Sequence, residues 1–92
     1  MTGMSGWKTR RSGRNIGATE TEIRIAGKWY PTEVAAAIYG LNEAALNDLV
    51  ELRVDELLGG TCVLDDEGMK PLIAAGLAKE KNGFHVLTRL GK

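Results

Sequence analysis

The sequence predicts a small α+β domain: a strand or small hairpin, three helices, and a hairpin at the C-terminus. Three observations predict it. From Thr32 to Leu58 apolar side chains recur at helical spacing, broken once at Gly40-Leu41-Asn42. From Glu22 to Arg24 and Ile25 the chain alternates, Ile23 and Ile25 against Glu22 and Arg24. Asn82-Gly83 joins two short strand-like runs, and a two-residue hairpin turn needs positive φ at both positions, which this pair tolerates.

A chain of 92 residues makes one domain with a small core. No apolar run approaches the roughly 20 residues that cross a bilayer. The first residues carry charge but no apolar stretch of the kind a secretory signal needs. A cytoplasmic chain with no membrane partner is expected. Cys62, as the single cysteine, forms no internal disulfide and reads as a buried small hydrophobe. One Cys and one His cannot build an ordinary zinc site, so no metal and no cofactor is expected.

The elements follow in order. Residues 1–19 contain four glycines and no hydrophobic period, and read as a flexible basic arm ahead of a domain at 20–92. Lys8, Arg10, Arg11 and Arg14 stand there without an acid. The arm is either a solvated terminus or a reach toward a phosphate backbone or acidic partner, with Trp7 as anchor. Glu22 to Tyr30 is a strand or small hairpin turning at Ala26-Gly27, with Trp29 in the core. Pro31 opens the first helix, where a missing N–H costs nothing, and Val34, Ala35, Ile38 and Tyr39 give its buried stripe. Gly40 ends that helix, and Asn42 caps the next.

The second helix places Leu46, Leu49, Val50, Val54, Leu57 and Leu58 on one face and stops at Gly59-Gly60. Leu52 lies off that face and covers a neighbouring element. Thr61 to Leu64 reads as a brief strand. Pro71 is costly deep inside a helix, so the third helix is expected from about Lys70 to Ala75, with Met69, Leu72 and Ile73 inward and Gly76 as its stop. Leu77–Lys81 then pairs with Phe84–Thr88, setting Glu80 opposite an exposed His85 and Lys81 opposite Phe84. The predicted core is Ile25, Trp29, Val34, Ile38, Leu41, Leu46, Leu49, Val50, Val54, Leu57, Leu72, Ile73 and Leu77.

Two stretches carry a resemblance. Thr32 to Glu51 resembles the helix-turn-helix pattern, with Ala36 at the crossing, Gly40 in the turn, and Leu41, Leu46 and Leu49 at apolar positions of the second helix. Leu72, Gly76-Leu77, Asn82-Gly83 and Leu87-Thr88-Arg89-Leu90-Gly91 resemble the close of a winged-helix domain, as in MarR-like regulators. The resemblance implies a winged-helix arrangement, duplex DNA as partner and a role in transcription regulation. The basic residues beside such a wing are Lys79, Lys81, Arg89 and Lys92, and the arm's Lys8, Arg10, Arg11 and Arg14 could join them on phosphates.

The charge pattern points elsewhere. If the second helix read bases, Asn42, Glu43, Ala44, Asn47, Asp48 and Glu51 would face the groove, and three of these six are acids with no Arg or Lys among them. Duplex DNA carries one negative charge per ~1.7 Å of its axis and repels such a face. The alternative is a protein-interaction module, an adaptor or inhibitor, that sets Glu43, Asn47, Asp48, Glu51 and Asp55 against a basic protein surface. Leu52 and the sheet edge permit a homodimer. No catalytic residue is expected: Cys62 and His85 have no orienting third group in the sequence, and no Gly-rich phosphate loop precedes a helix. An enzyme is the class the residues favour least.

Overall fold

The computed structural model describes residues 16–60 and 62–91. The chain runs β1 (Glu22–Ile25), β2 (Lys28–Pro31), α1 (Thr32–Tyr39), α2 (Glu43–Leu57), α3 (Asp66–Ala74), β3 (Ala78–Lys81) and β4 (Phe84–Leu87). The strands form two separate antiparallel hairpins, β1 with β2 and β3 with β4, which makes the α+β class expected. The second hairpin turns at Asn82-Gly83 with φ of 54° and 83°. Its register sets Glu80 opposite His85 and Lys81 opposite Phe84, as the turn predicts. The first hairpin turns at Ala26-Gly27, with Arg24 opposite Trp29.

The long helix α2 is the centre. It packs on α3 and on β4, while α1 packs on the first hairpin. Ala45, Leu46, Leu49 and Val50 of α2 are buried together with Ile23 and Ile25 of β1, Met69 and Leu72 of α3, and Leu77. Leu52 is buried as well and shares a hollow with Val86 and Leu87, so the neighbour it covers is β4.

α3 starts earlier than the proline suggests. It spans Asp66–Ala74 with Pro71 inside it, rather than beginning near Lys70. A proline at 71 cannot donate to the carbonyl four residues back, so the Glu67 carbonyl is left without its helical partner. The side chain of Asn42 fills that gap. Its Nδ2 donates to the Glu67 carbonyl at 3.1 Å, while its Oδ1 accepts from the Ala45 N–H at 2.7 Å and caps α2. One amide thus caps one helix and mends a defect in another.

Arg53 extends the buried stripe of α2 with a charge. Its relative exposure is 5%. Nε donates to the Gly91 carbonyl at 3.2 Å, and Nη1 donates to the carbonyls of Ile16 and Gly17 at 3.3 and 3.1 Å. Nη2 donates to the Arg24 carbonyl. Burial, and then the nearby Arg24, push its pKa down to about 10, so it stays charged at neutral pH.

Several expectations need correction. Ile16 and Ala18 are buried, and the Arg24 N–H donates to the Gly17 carbonyl at 2.7 Å, so the ordered domain reaches back into the stretch read as arm. Residues 1–15 lie outside the described residues. Pro31 is the residue before α1 and not its first helical position. α1 is rotated from its expected face: Thr32 and Ala35 are buried and Ala36 and Tyr39 half-buried, while Val34 and Ile38 face out. Small Ala35 and Ala36 let the helix approach the hairpin closely, and the ring of Tyr39 meets Tyr30 edge-on at 6.1 Å. Ile73 and Leu57 are exposed, and Trp29 and Val54 are only half-buried. Cys62 is half-buried and joins His85 through an isolated bridge rather than a full strand.

Two outcomes follow from these contacts. Asn42→Ala is expected to destabilise the domain by about 1–2 kcal/mol in urea denaturation, since it removes a cap and a second acceptor's partner. In a Pro71→Ala background the Glu67 carbonyl regains its helical donor, so the cost of Asn42→Ala should shrink; a strictly additive double-mutant cycle would contradict the link. Arg53→Lys cannot span four carbonyls with one ammonium and is expected to cost about 2–4 kcal/mol by the same measurement.

Candidate functional site

The sequence proposes two surfaces, a basic one at the C-terminal hairpin and an acidic one on α2. On the hairpin, Ala78, His85 and Leu87 turn into the core. Strand alternation puts Lys79, Lys81, Phe84 and Val86 on the opposite face, with Lys79 and Lys81 exposed and Phe84 at 40% exposure. Arg89 is exposed beyond β4. Lys8, Arg10, Arg11, Arg14 and Lys92 lie outside the described residues.

The first half of the acidic face is covered by α3. A Cβ at Gly68 would stand 2.1 Å from Asp48 Oδ2 and 2.7 Å from the Ala44 carbonyl, so only glycine lets α3 come this close. Asn42 is bonded to the Glu67 carbonyl. Three of the six positions that would meet a DNA groove, Asn42, Ala44 and Asp48, are therefore engaged by α3. Glu43, Asn47 and Glu51 are half-buried. α3 therefore stands against part of the face that a major groove would meet.

Asp48 bears the electrostatic consequence. Burial raises its pKa to about 6, the acids Asp65, Glu51 and Glu67 add to the rise, and His85 opposes it. His85 itself is buried at 7% exposure, not the exposed strand residue expected. Its backbone N–H donates to the Cys62 carbonyl at 2.8 Å, and its Nδ1 accepts from the Leu64 N–H at 2.9 Å. The imidazole thereby fastens residues 62–64 to β4, which occupies Nδ1 with a structural bond. The Cys62 thiol is pushed up by burial and by Asp55 beside it, so it is held neutral, the opposite of an activated nucleophile. Among the described residues no three His, Cys, Asp or Glu side chains gather as a metal site would need.

The second half of the acidic face is also half-buried and borders a hollow. Glu51, Val54, Asp55 and Leu58 of α2 and its end line a hollow of about 150 Å³ with Cys62 and Leu64. Leu58 in that lining is 80% exposed, and Leu57 and Val63, which do not line it, are 64% and 66% exposed. Sequence reasoning placed Leu57 in the core and Leu58 on the same apolar face because they continue the helical stripe. The signal that they leave it is Gly59-Gly60, which turns the chain away before any element can cover them.

The full chain carries twelve acids and twelve bases and is neutral overall. All twelve acids lie among the described residues, but five of the twelve bases (Lys8, Arg10, Arg11, Arg14 and Lys92) do not, and Arg53 is buried. Six basic side chains therefore share the described surface with twelve acids. No described helix is long and apolar enough to cross a membrane. No family model, no curated protein and no solved structure matches this chain.

The pKa of Asp48 gives a pH dependence with a definite sign. The folded state holds this proton more tightly than the unfolded chain, whose Asp titrates near ~3.9. Its contribution is therefore most favourable below about pH 4 and is lost as pH rises through about 6. Asp48→Asn is expected to flatten stability across that window and to add about 1 kcal/mol at pH 7, a figure already discounted for partial solvent exposure. Urea titrations at pH 4 to 7 measure it, and a variant less stable than the parent at pH 7 would contradict the assignment.

Proposed function

We propose that this chain is a protein-interaction module, an adaptor or inhibitor, that receives a basic partner on the acidic side of α2. One observation carries the reading. α3 closes the first half of that face, while the second half sets Glu51 and Asp55 around a hollow with the exposed Leu58. Charge-rimmed apolar patches of this kind mark protein contacts, and complementary charge there speeds and orients encounter. The acids repel nucleic acid, and the groups a nucleophile or base would use are committed: Cys62 is a neutral thiol and His85 Nδ1 is bonded to a backbone N–H.

A second reading keeps the winged-helix resemblance, with DNA held through phosphates at the C-terminal hairpin. Its support is that Lys79, Lys81 and Phe84 share one outward face. Two cations and a ring can hold a backbone without reading sequence.

Fluorescence anisotropy with labelled duplex DNA, on the full chain at about 50 and about 200 mM salt, separates the two. The interaction reading expects no saturable binding at the lower salt. Binding that falls steeply with salt and is lost in the Lys79→Glu, Lys81→Glu double variant would replace it with the second reading.

A further inference from the structure

We infer that His85 is a proton-operated latch on the connection between α2 and α3: a second proton on its imidazole frees the Leu64 N–H and lets residues 63–64 leave β4. Two bonds hold that connection to the strand. The His85 N–H donates to the Cys62 carbonyl at 2.8 Å, and His85 Nδ1 accepts from the Leu64 N–H at 2.9 Å. The first bond runs from backbone to backbone and contains no titrating group. The second needs a lone pair on Nδ1. A neutral imidazole that accepts at Nδ1 carries its one proton on Nε2, so a second proton has only Nδ1 to take. The charged ring is a donor at both nitrogens and cannot receive the Leu64 N–H. Histidine is the side chain that changes charge between about pH 5 and 8.

The surroundings answer the charge that forms. From α2, Asp48 feels the His85 charge, and Asp55 and Glu56 line a hollow of about 60 Å³ with the ring. From β3, Glu80 stands directly opposite. From the connection itself comes the Cys62 thiol, which is bonded to Asp55. Asp65 and Glu67, at the start of α3, lie close enough to act on Asp48. Carboxylates on two packed elements attract an imidazolium, so the ring can stay in place as a cation while its bond to Leu64 is lost. Elsewhere the chain ties its turns and helix ends with groups that do not titrate near neutrality: the Thr19 hydroxyl, the Asn42 amide and the Thr88 hydroxyl. Here the tie is a titrating ring.

Release at Leu64 reaches two neighbours. Leu64 is half-buried and lines the hollow at the end of α2, and Asp65, the next residue, is the N-cap of α3. The bond to the Cys62 carbonyl survives, so the connection pivots there rather than detaching. The latch thereby alters the wall of that hollow and the entry to α3 together, whatever partner α2 receives.

NMR on the full isotope-labelled chain tests the latch, and His85 is the single histidine, so its ring signals are unambiguous. Between about pH 7.5 and about pH 5 the Nδ1 resonance should move from the position of a bare nitrogen to that of a protonated one. Over the same range the Leu64 amide should lose at least about tenfold of its protection from solvent exchange, as loss of one hydrogen bond gives. The amides of Leu49 and Val50, inside α2, should not follow; a matching loss there is whole-domain opening and overturns the latch. His85→Asn sets an amide oxygen near the place of Nδ1 and cannot titrate, so it should keep Leu64 protected at both pH values. Asp48→Asn removes a second titrating group and should leave the Leu64 change in place. A ring that stays bare at Nδ1 down to about pH 5 overturns the inference, and so does a protonated ring with Leu64 still protected. Loss of Leu64 protection that survives His85→Asn, or vanishes in Asp48→Asn, belongs to other groups and overturns it too. If His85→Asn does not fold, the ring and amide signals of the unsubstituted chain still decide it.

Discussion

The Arg53 guanidinium holds together parts of the chain that the helices alone would not. Its four hydrogen bonds reach carbonyls at Ile16, Gly17, Arg24 and Gly91. A buried cation is costly unless its donors are met, and here carbonyl dipoles meet them instead of a carboxylate. The carbonyls belong to the entry to β1, to its middle and to the residues past β4. The helices supply apolar area; the guanidinium decides where the flanking segments lie on it. A chain with a small core gains from such a fixture, because area is scarce and misplacing any segment loses much of it.

Local chemistry was legible in the sequence, and its partnerships were not. Asn-Gly set the register of the second hairpin, Asn42 capped α2, and Gly40 closed α1, whereas the C-caps of α2 and α3 are Leu58 and Ala75, each one residue ahead of the expected glycine. Each of these signals acts within a few residues. The start of α3 was misread because the damage done by Pro71 is repaired from 29 positions away by Asn42. The face of α1 was misread because two apolar stripes fit its period, and contact with the first hairpin chose the one with small residues. His85 was read as an exposed strand residue because nothing nearby in sequence announces its backbone partners, and no local signal marks Arg53 for burial. The acidic spacing of the candidate site was visible, but which half is covered depends on where α3 crosses.

The same helix therefore serves two purposes along its length. Its first half is a packing surface, where Gly68 brings backbone against Asp48 and leaves that carboxylate crowded by other acids. Its second half buries Leu52 and Arg53 and ends in the exposed Leu57 and Leu58. Crowded acids at one end and apolar exposure at the other are both costs to stability. Costs of this kind, kept at one surface, favour a role for that surface in recognition.

The contacts of Arg53 also make neighbours of residues distant in sequence. The carbonyls of Ile16 and Gly91 meet the same guanidinium, so the first and last described residues lie side by side. A short linker could join them and new ends could be cut elsewhere, at the tip of either hairpin for example, without disturbing the path of the core.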